Sequence, residues 1–193
     1  MFSRSRTVVV AASAALLAGL SGCSLLEPAV HEEVLSDVAR CTMGHTWSLD
    51  TADLATQLLA ELQKDHPDVT AVDANGTTTI DWGLDSTAEL TADLTITVTA
   101  GTAEQPTVIT QTQNGTAGGK TYINADVAIP RSWKNKIDIK ATAQNAGVAL
   151  DEAPFGLPST TLDDSVGLEL TCDGGTLTIH PRGATITQKW TAG

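Results

Sequence analysis

The amino-acid sequence predicts a mainly β protein: an antiparallel up-and-down barrel, or a strongly curled sheet, of about eight strands preceded by two N-terminal helical segments. Two observations carry this prediction. Apolar residues recur at helical spacing before residue 70. From Thr77 onward, apolar and polar residues alternate along short segments that are separated by turn residues.

The first 22 residues have the features of an export signal. Arg4 and Arg6 supply positive charge, and an uncharged apolar segment extends from Val8 to Leu20. A helix of that length rises only about 20 Å, which is less than the thickness of a bilayer core, so we do not expect a permanent transmembrane span. The predicted organisation is a cleaved signal peptide at 1–22, a short tether at 23–28, and a single β-rich domain with N-terminal helices at 29–193.

The tetrad Leu20-Ser21-Gly22-Cys23 resembles the lipobox of bacterial lipoproteins. The resemblance implies that the Cys23 thiol is acylated with palmitate-type chains and that the signal is removed before it. The protein is then expected to be lipid-anchored on the extracytoplasmic face of the cell membrane. Two or three acyl chains anchor a protein stably, whereas one is marginal. The alternative is an ordinary signal peptide cut near Gly22, which leaves Cys23 as a free thiol.

With Cys23 assigned to lipid, the two remaining cysteines are Cys41 and Cys172. An even number of cysteines in an oxidising compartment favours a disulfide between them. Metal binding by this pair is the alternative, but neither cysteine lies in a CxxC motif or has a histidine at ligand spacing.

The composition is acidic, with 23 aspartates and glutamates against 11 lysines and arginines and a formal net charge of −12. Such a body is repelled by nucleic acid, so no nucleic-acid partner is predicted.

Two helices are predicted before residue 70, at 27–40 and 50–66. Asp50 or Thr51 is expected to cap the second, and Pro67 follows its end. The apolar face of the second helix consists of four leucines: Leu54, Leu58, Leu59 and Leu62.

The clearest strand is predicted at 90–100, where every second residue is apolar. Its length favours a barrel, because sandwich strands tend to be shorter. Asn75-Gly76 and Asn114-Gly115 are predicted to be hairpin turns. The complete set of predicted strands is 46–50, 77–82, 90–100, 106–113, 120–129, 134–144, 166–172, 176–180 and 184–190.

The segments MGHTWSLD, LTCDGGTLTIH and ITQKW resemble the small secreted lipoproteins, of uncharacterised function, of high-GC Gram-positive bacteria. The likeness spans most of residues 41–193. The sequence is also similar to lipocalin-like proteins, in which a glycine and a tryptophan open the first strand. The spacing here is Gly44-x-x-Trp47. These resemblances imply a surface-tethered β domain with a ligand-holding interior.

No catalytic motif is present in the sequence. A nucleophile elbow of the form G-x-S-x-G does not occur, and the four histidines show no paired ligand spacing. We therefore predict no enzyme activity, no cofactor and no metal site.

Two features are candidates for binding. The segment RSWKNKIDIK predicts one strand with Lys134, Lys136 and Lys140 on its outer face, either as a docking stripe for an anionic partner or as an edge that its lysines protect from pairing. The segment EAPFGLPST presents Phe155 and Leu157, either as a lid over the mouth of the barrel or as part of the core.

The preferred function is an extracytoplasmic envelope module that holds a small apolar or amphipathic ligand inside the sheet. The candidate cavity consists of Trp47, Leu94, Val98, Val127, Ile137 and Ile139, with Phe155 and Leu157 as the lid. The alternative is a structural or protein-interaction lipoprotein with a filled core. An enclosed apolar space of about 300 Å³ or more would favour the first class.

Overall fold

The computed structural model describes residues 35–158, 160–162 and 166–193, and residues from Leu35 onward form one compact unit. The predicted signal peptide, Cys23, the tether and most of the first predicted helix lie outside the described residues. The helices are α1 (Asp37–Thr42) and α2 (Thr51–Asp65). The strands are β1 (His45–Leu49), β2 (Val69–Trp82), β3 (Thr87–Gly101), β4 (Pro106–Asn124), β5 (Val127–Asn135), β6 (Asp138–Asn145), β7 (Val148–Leu150), β8 (Leu168–Asp173), β9 (Thr176–Pro181) and β10 (Gln188–Ala192).

Helix α2 begins and ends where its sequence predicts. The Asp50 carboxylate accepts a 3.0 Å hydrogen bond from the Asp53 amide, which satisfies one of the free N–H groups of the first turn. At the other end, the His66 amide donates to the Leu62 carbonyl and Pro67 follows. Leu54, Leu58 and Leu62 are buried. The amphipathic pattern therefore places this helix on the sheet through its leucine face.

The ten strands form one antiparallel sheet in the order β3-β2-β1-β10-β9-β8-β5-β4-β6-β7. Because β3 also pairs with β4, the pairings close a ring through eight strands. Strands β6 and β7 lie outside this ring and extend the sheet from the first half of β4. The mainly antiparallel, curled sheet that the sequence predicts is confirmed.

Strands β2, β3 and β4 are longer than predicted, with 14, 15 and 19 residues. The prediction of hairpin turns at Asn75-Gly76 and Asn114-Gly115 is wrong, because both pairs lie inside strands. Gly76 and Gly115 have φ values of +111° and +135°, and a side chain on either would collide with a backbone carbonyl, that of Asp93 or of Lys136. These glycines permit close approach between neighbouring backbone segments instead of reversing the chain.

The interior consists of two hydrophobic clusters. The first is built around the fully buried Trp47, Trp82 and Trp190. The second joins the leucines of α2 to the inward residues of β3, including Ile96 and Val98. The alternation that the sequence predicts in 90–100 is observed, because every second residue from Leu90 to Ala100 is buried.

Two predicted strands are each divided in the structure. Residues 120–129 contain the turn between β4 and β5, where Ala125 has a φ of +54°. Residues 134–144 are interrupted between Asn135 and Asp138, so that the first part belongs to β5 and the second to β6. The turns in these two segments contain few glycines, so the sequence does not strongly indicate that the chain turns there.

Cys41 of α1 and Cys172 of β8 are joined in the structure, with their Cα atoms 6.1 Å apart. This is the pair that the cysteine count predicts. The bond connects α1 to β8, and its two cysteines are 131 residues apart in the sequence.

Candidate docking groove on the outer face of the sheet

Within the described part of the chain, a very small cavity lies among residues of the two clusters. The cavity that Leu94, Ile137 and Trp190 border has a volume of about 10 Å³. This is the space of at most one water molecule. Several residues around it are polar, including Thr78, Gln113 and Gln188, whereas a ligand pocket is mostly apolar.

The predicted cavity residues do not surround one space. Leu94 and Ile137 border the 10 Å³ cavity, whereas Trp47 and Val98 are packed in separate clusters. Val127 is half-buried at the start of β5. Ile139 was expected to face inward, but 46% of it is exposed, because its strand β6 lies outside the ring.

The segment predicted as a lid packs beside the end of α2. The ring of Phe155 stacks on the imidazole of His66, with centroids 4.2 Å apart. Phe155 and Leu157 also contact the second cluster. Leu157 and His66 border an open cavity of about 340 Å³ that also includes Glu61 and Asp65.

The predicted docking stripe is not a single strand face. Lys134 belongs to β5, Lys136 lies in the connection that follows, and Lys140 belongs to β6. The register partners of Lys134 and Lys140 on β4 are Gly118 and Thr112. These partners are six residues apart, so the two lysines are about 20 Å apart along the strand.

Lys134 and Lys136 instead line an open groove across the outer face of β3, β4 and β5. The groove has a volume of about 540 Å³, and Gly118 and Gly119 are among the residues that line it. A second space of about 420 Å³ continues from it through Lys120 and Ser132, and Arg131 lines that part. We call the surface formed by Lys120, Arg131, Lys134, Lys136, Gly118, Gly119 and Ser132 the basic groove.

A β-bulge shapes this groove. The register passes from Gly118 and Lys134 to Lys120 and Arg131, so β5 contains one residue more than β4 between the two pairs. Ser132 lies in the bulge and has a φ of +52°, which is uncommon for a residue with a side chain. A side chain on Gly119 would come within 2.7 Å of the Arg131 carbonyl oxygen, so glycine is required opposite the bulge.

Three cations of the basic groove form no ion pair with any described residue: Arg131, Lys134 and Lys136. The fourth cation, Lys120, is held in place by its ammonium group, which donates a 3.0 Å hydrogen bond to the Asp85 carbonyl. By contrast, Lys140 pairs with Asp138, and this carboxylate raises the pKa of the Lys140 ammonium.

Glu89 is the acidic residue among those that line the 540 Å³ part of the groove. It lies on β3, directly opposite Gly118. Thr87 and Thr116 line the same part, and the Thr87 hydroxyl donates a hydrogen bond to the Asp85 carboxylate. The groove therefore offers ammonium, guanidinium and hydroxyl donors, with one carboxylate on its β3 side.

Sequence reasoning missed Lys120 as a member of this site. It is contributed by β4, 14 residues before Lys134, and only the strand register brings it opposite Arg131. The preceding Gly118-Gly119 pair was a signal, because adjacent glycines inside a strand indicate close backbone approach or a bulge.

Within the described part of the chain, no cluster of three or more histidine, cysteine or acidic side chains could hold a metal ion. None of the described helices has the length and apolar character needed to cross a membrane. A scan against protein-family models finds no family that matches the chain, and a search of curated proteins finds no significant match.

Proposed function

We propose that this chain is a cell-envelope lipoprotein, tethered on the extracytoplasmic face of the membrane, whose domain has a filled core and acts without catalysis through its outer surface. The observation that carries this proposal is the 10 Å³ cavity. A cavity of that size among the described residues of the core favours the structural or protein-interaction class over a module that holds a small ligand inside.

The finer fold that we infer is an up-and-down barrel of the lipocalin-like kind. It is supported by the order of the ring, in which consecutive strands pair from β1 to β5 and from β8 to β10. The connection from β5 to β8 includes the β6–β7 extension. A lipocalin-like barrel with a filled interior is a scaffold for its surface rather than a container.

The tether rests on the lipobox resemblance and the export signal that precedes it. Changing Cys23 to Ala is expected to release the protein from the membrane fraction or to leave it unprocessed. Unchanged mature size together with unchanged membrane retention would refute the anchor.

The filled core is tested by native mass spectrometry of the protein purified from the organism that produces it. We expect the mass of the processed chain with its lipid and no further bound molecule. A stoichiometric apolar compound that stays bound after detergent exchange would overturn the proposal and restore the ligand-holding class.

A further inference from the structure

We propose that the basic groove binds a linear polyanion that carries regularly repeated phosphate groups. This inference rests on the proposed function, in that the domain acts through its outer surface, and it assigns that surface a ligand. The residues that would contact phosphate are Lys120, Arg131, Lys134 and Lys136.

The distribution of charge is the first argument. The chain contains 11 lysines and arginines, of which Arg4 and Arg6 precede the described residues. Four of the nine that remain border one groove, although the chain as a whole has a net charge of −12. Three of these four have no carboxylate partner among the described residues, so their charge is available to an anionic ligand.

The spacing of the cations is the second argument. Lys120 and Arg131 form one cross-strand row, and the row of Gly118 and Lys134 is two residues earlier on β4. Strand geometry separates such rows by about 7 Å. A ligand with several charges along its length can contact both rows, whereas a single phosphate contacts one.

The lining of the groove is the third argument. Gly118 and Gly119 line the groove with backbone only, and the position of each missing Cβ atom is taken by a neighbouring backbone carbonyl, that of Ala88 or of Arg131. Thr116 and Ser132 also line this part of the groove, and a hydroxyl group can donate a hydrogen bond to an unesterified oxygen of a phosphate. The Thr87 hydroxyl lines the same part but already donates to the Asp85 carboxylate. Hydrogen bonds between charged donors and phosphate are among the stronger ones in proteins.

The negative charge of the rest of the protein favours a polymer over a membrane surface as the ligand of the groove. An anionic bilayer is a plane, and it would bring its charge close to Glu89 in the groove, to Asp85, whose carboxylate lies 3.4 Å from the Lys120 ammonium, and to the acidic surface beyond them. Electrostatic repulsion acts over a Debye length of about 8 Å at physiological salt. A slender chain enters the groove without approaching the rest of the acidic surface, so we commit to the linear polymer.

The test uses the full chain in a neutral nonionic detergent and end-labelled inorganic polyphosphate as the probe, with fluorescence anisotropy as the readout. We expect binding at low ionic strength whose affinity falls steeply with salt. Engagement of three or four cations predicts a slope of log K against log salt of about −2 to −4.

Three variants make the test specific. The Lys134→Glu, Lys136→Glu double variant is expected to weaken binding by roughly tenfold or more. The matched control is the Lys64→Glu, Lys140→Glu double variant, which changes the net charge equally at ion-paired lysines outside the groove and should alter affinity by about twofold at most. Glu89→Gln removes the carboxylate that lines the groove and should strengthen binding several-fold, an effect that misfolding cannot produce. Circular dichroism verifies that each variant is folded.

Several results would overturn the inference: no binding of the parent protein at low salt, equal loss in the control and groove variants, or an unchanged affinity in Glu89→Gln. Mixed micelles of the same detergent with phosphatidylglycerol provide the membrane arm. If these micelles displace the probe at lower phosphate concentration than unlabelled polyphosphate does, the ligand is a lipid surface and the polymer is excluded. If polyphosphate does not bind and native mass spectrometry detects no retained compound, the ligand assigned to the groove is wrong and the proposed function stands. If an apolar compound is retained, the proposed function is wrong.

Discussion

Gln57 and Thr187 exchange two hydrogen bonds although 130 residues separate them. The Gln57 amide nitrogen donates to the Thr187 carbonyl at 2.6 Å, and the Thr187 backbone amide donates to the Gln57 side-chain oxygen at 3.0 Å. A side chain of α2 thus takes the place of a neighbouring strand for the residue that precedes β10. The contact fixes where the helix lies on the sheet.

Changing Gln57 to Ala is expected to lower the free energy of unfolding by about 1 to 3 kcal/mol, because both backbone groups of Thr187 lose their partner in a partly buried position. Urea denaturation measures this loss. The control is Thr56→Ala, whose exposed hydroxyl contacts only its own helix and which should change stability by about 0.5 kcal/mol or less. Equal stability of the Gln57 variant and the parent would mean that the pair does not hold the helix.

Gly115 is predicted to tolerate no side chain. With φ at +135° and the carbonyl of Lys136 in the position of a Cβ atom, Gly115→Ala should cost more than about 2 kcal/mol of unfolding free energy. Gly156 is the matched control, because a Cβ there meets nothing within 4 Å and its φ is not in the left-handed region. Similar midpoints of thermal unfolding for the two alanine variants would contradict this prediction.

Loss of the bond between Cys41 and Cys172 should reduce stability by about 2 to 5 kcal/mol, because the unfolded chain regains the freedom of a 131-residue loop. The measurement is chemical denaturation of the protein with and without reductant. A Cys41→Ala, Cys172→Ala variant should match the reduced parent and show no further response to reductant. A parent whose unfolding is insensitive to reduction would refute the stabilising role.

The pKa of Asp85 is expected to be below the unperturbed value of about 3.9 for aspartate. The chief cause is the Thr87 hydroxyl, which donates a 2.5 Å hydrogen bond to the carboxylate, with smaller contributions from the Thr87 amide and Lys120. Because the folded pKa is lower than the unfolded one, this contribution to stability is present above the unfolded pKa and is lost as pH falls through the folded pKa. NMR titration of the carboxyl carbon measures the value, and Thr87→Val should raise it, whereas Thr91→Val on the same strand should leave it unchanged.

The sequence predicts those parts of the fold that depend on local periodicity. Residues 90–100 alternate strictly, and the leucines of α2 recur at helical spacing, so both elements and their buried faces follow from the pattern alone. The turn at Ala125 and the break after Asn135 were missed, because neither contains the glycine pairs that usually indicate a reversal. Conversely, Asn75-Gly76 and Asn114-Gly115 have the composition of turns, yet their glycines serve the close packing of long strands.

The basic groove could be predicted only in part, for a related reason. Lys134 and Lys136 are conspicuous in an acidic sequence, but their neighbours depend on which strand lies beside β5. That choice is a property of the whole sheet, since pairing with β4 brings Lys120 opposite Arg131. The bulge at Ser132, which shifts the register by one residue, has no signature in the sequence around it.

The pairing of β1 with β10 determines when the ring of strands can close during folding. Trp47 and Ala192 are register partners, so β1, the first strand in the sequence, pairs on one side with β10, the last strand. During synthesis, six of the eight seams of the ring can form before β10 has been made, but the seams of β10 with β1 and with β9 cannot. Until then Trp47 lacks Trp190 as a neighbour in its cluster, and one edge of β1 is open. Closure of the ring is therefore necessarily a late event in the folding of the domain.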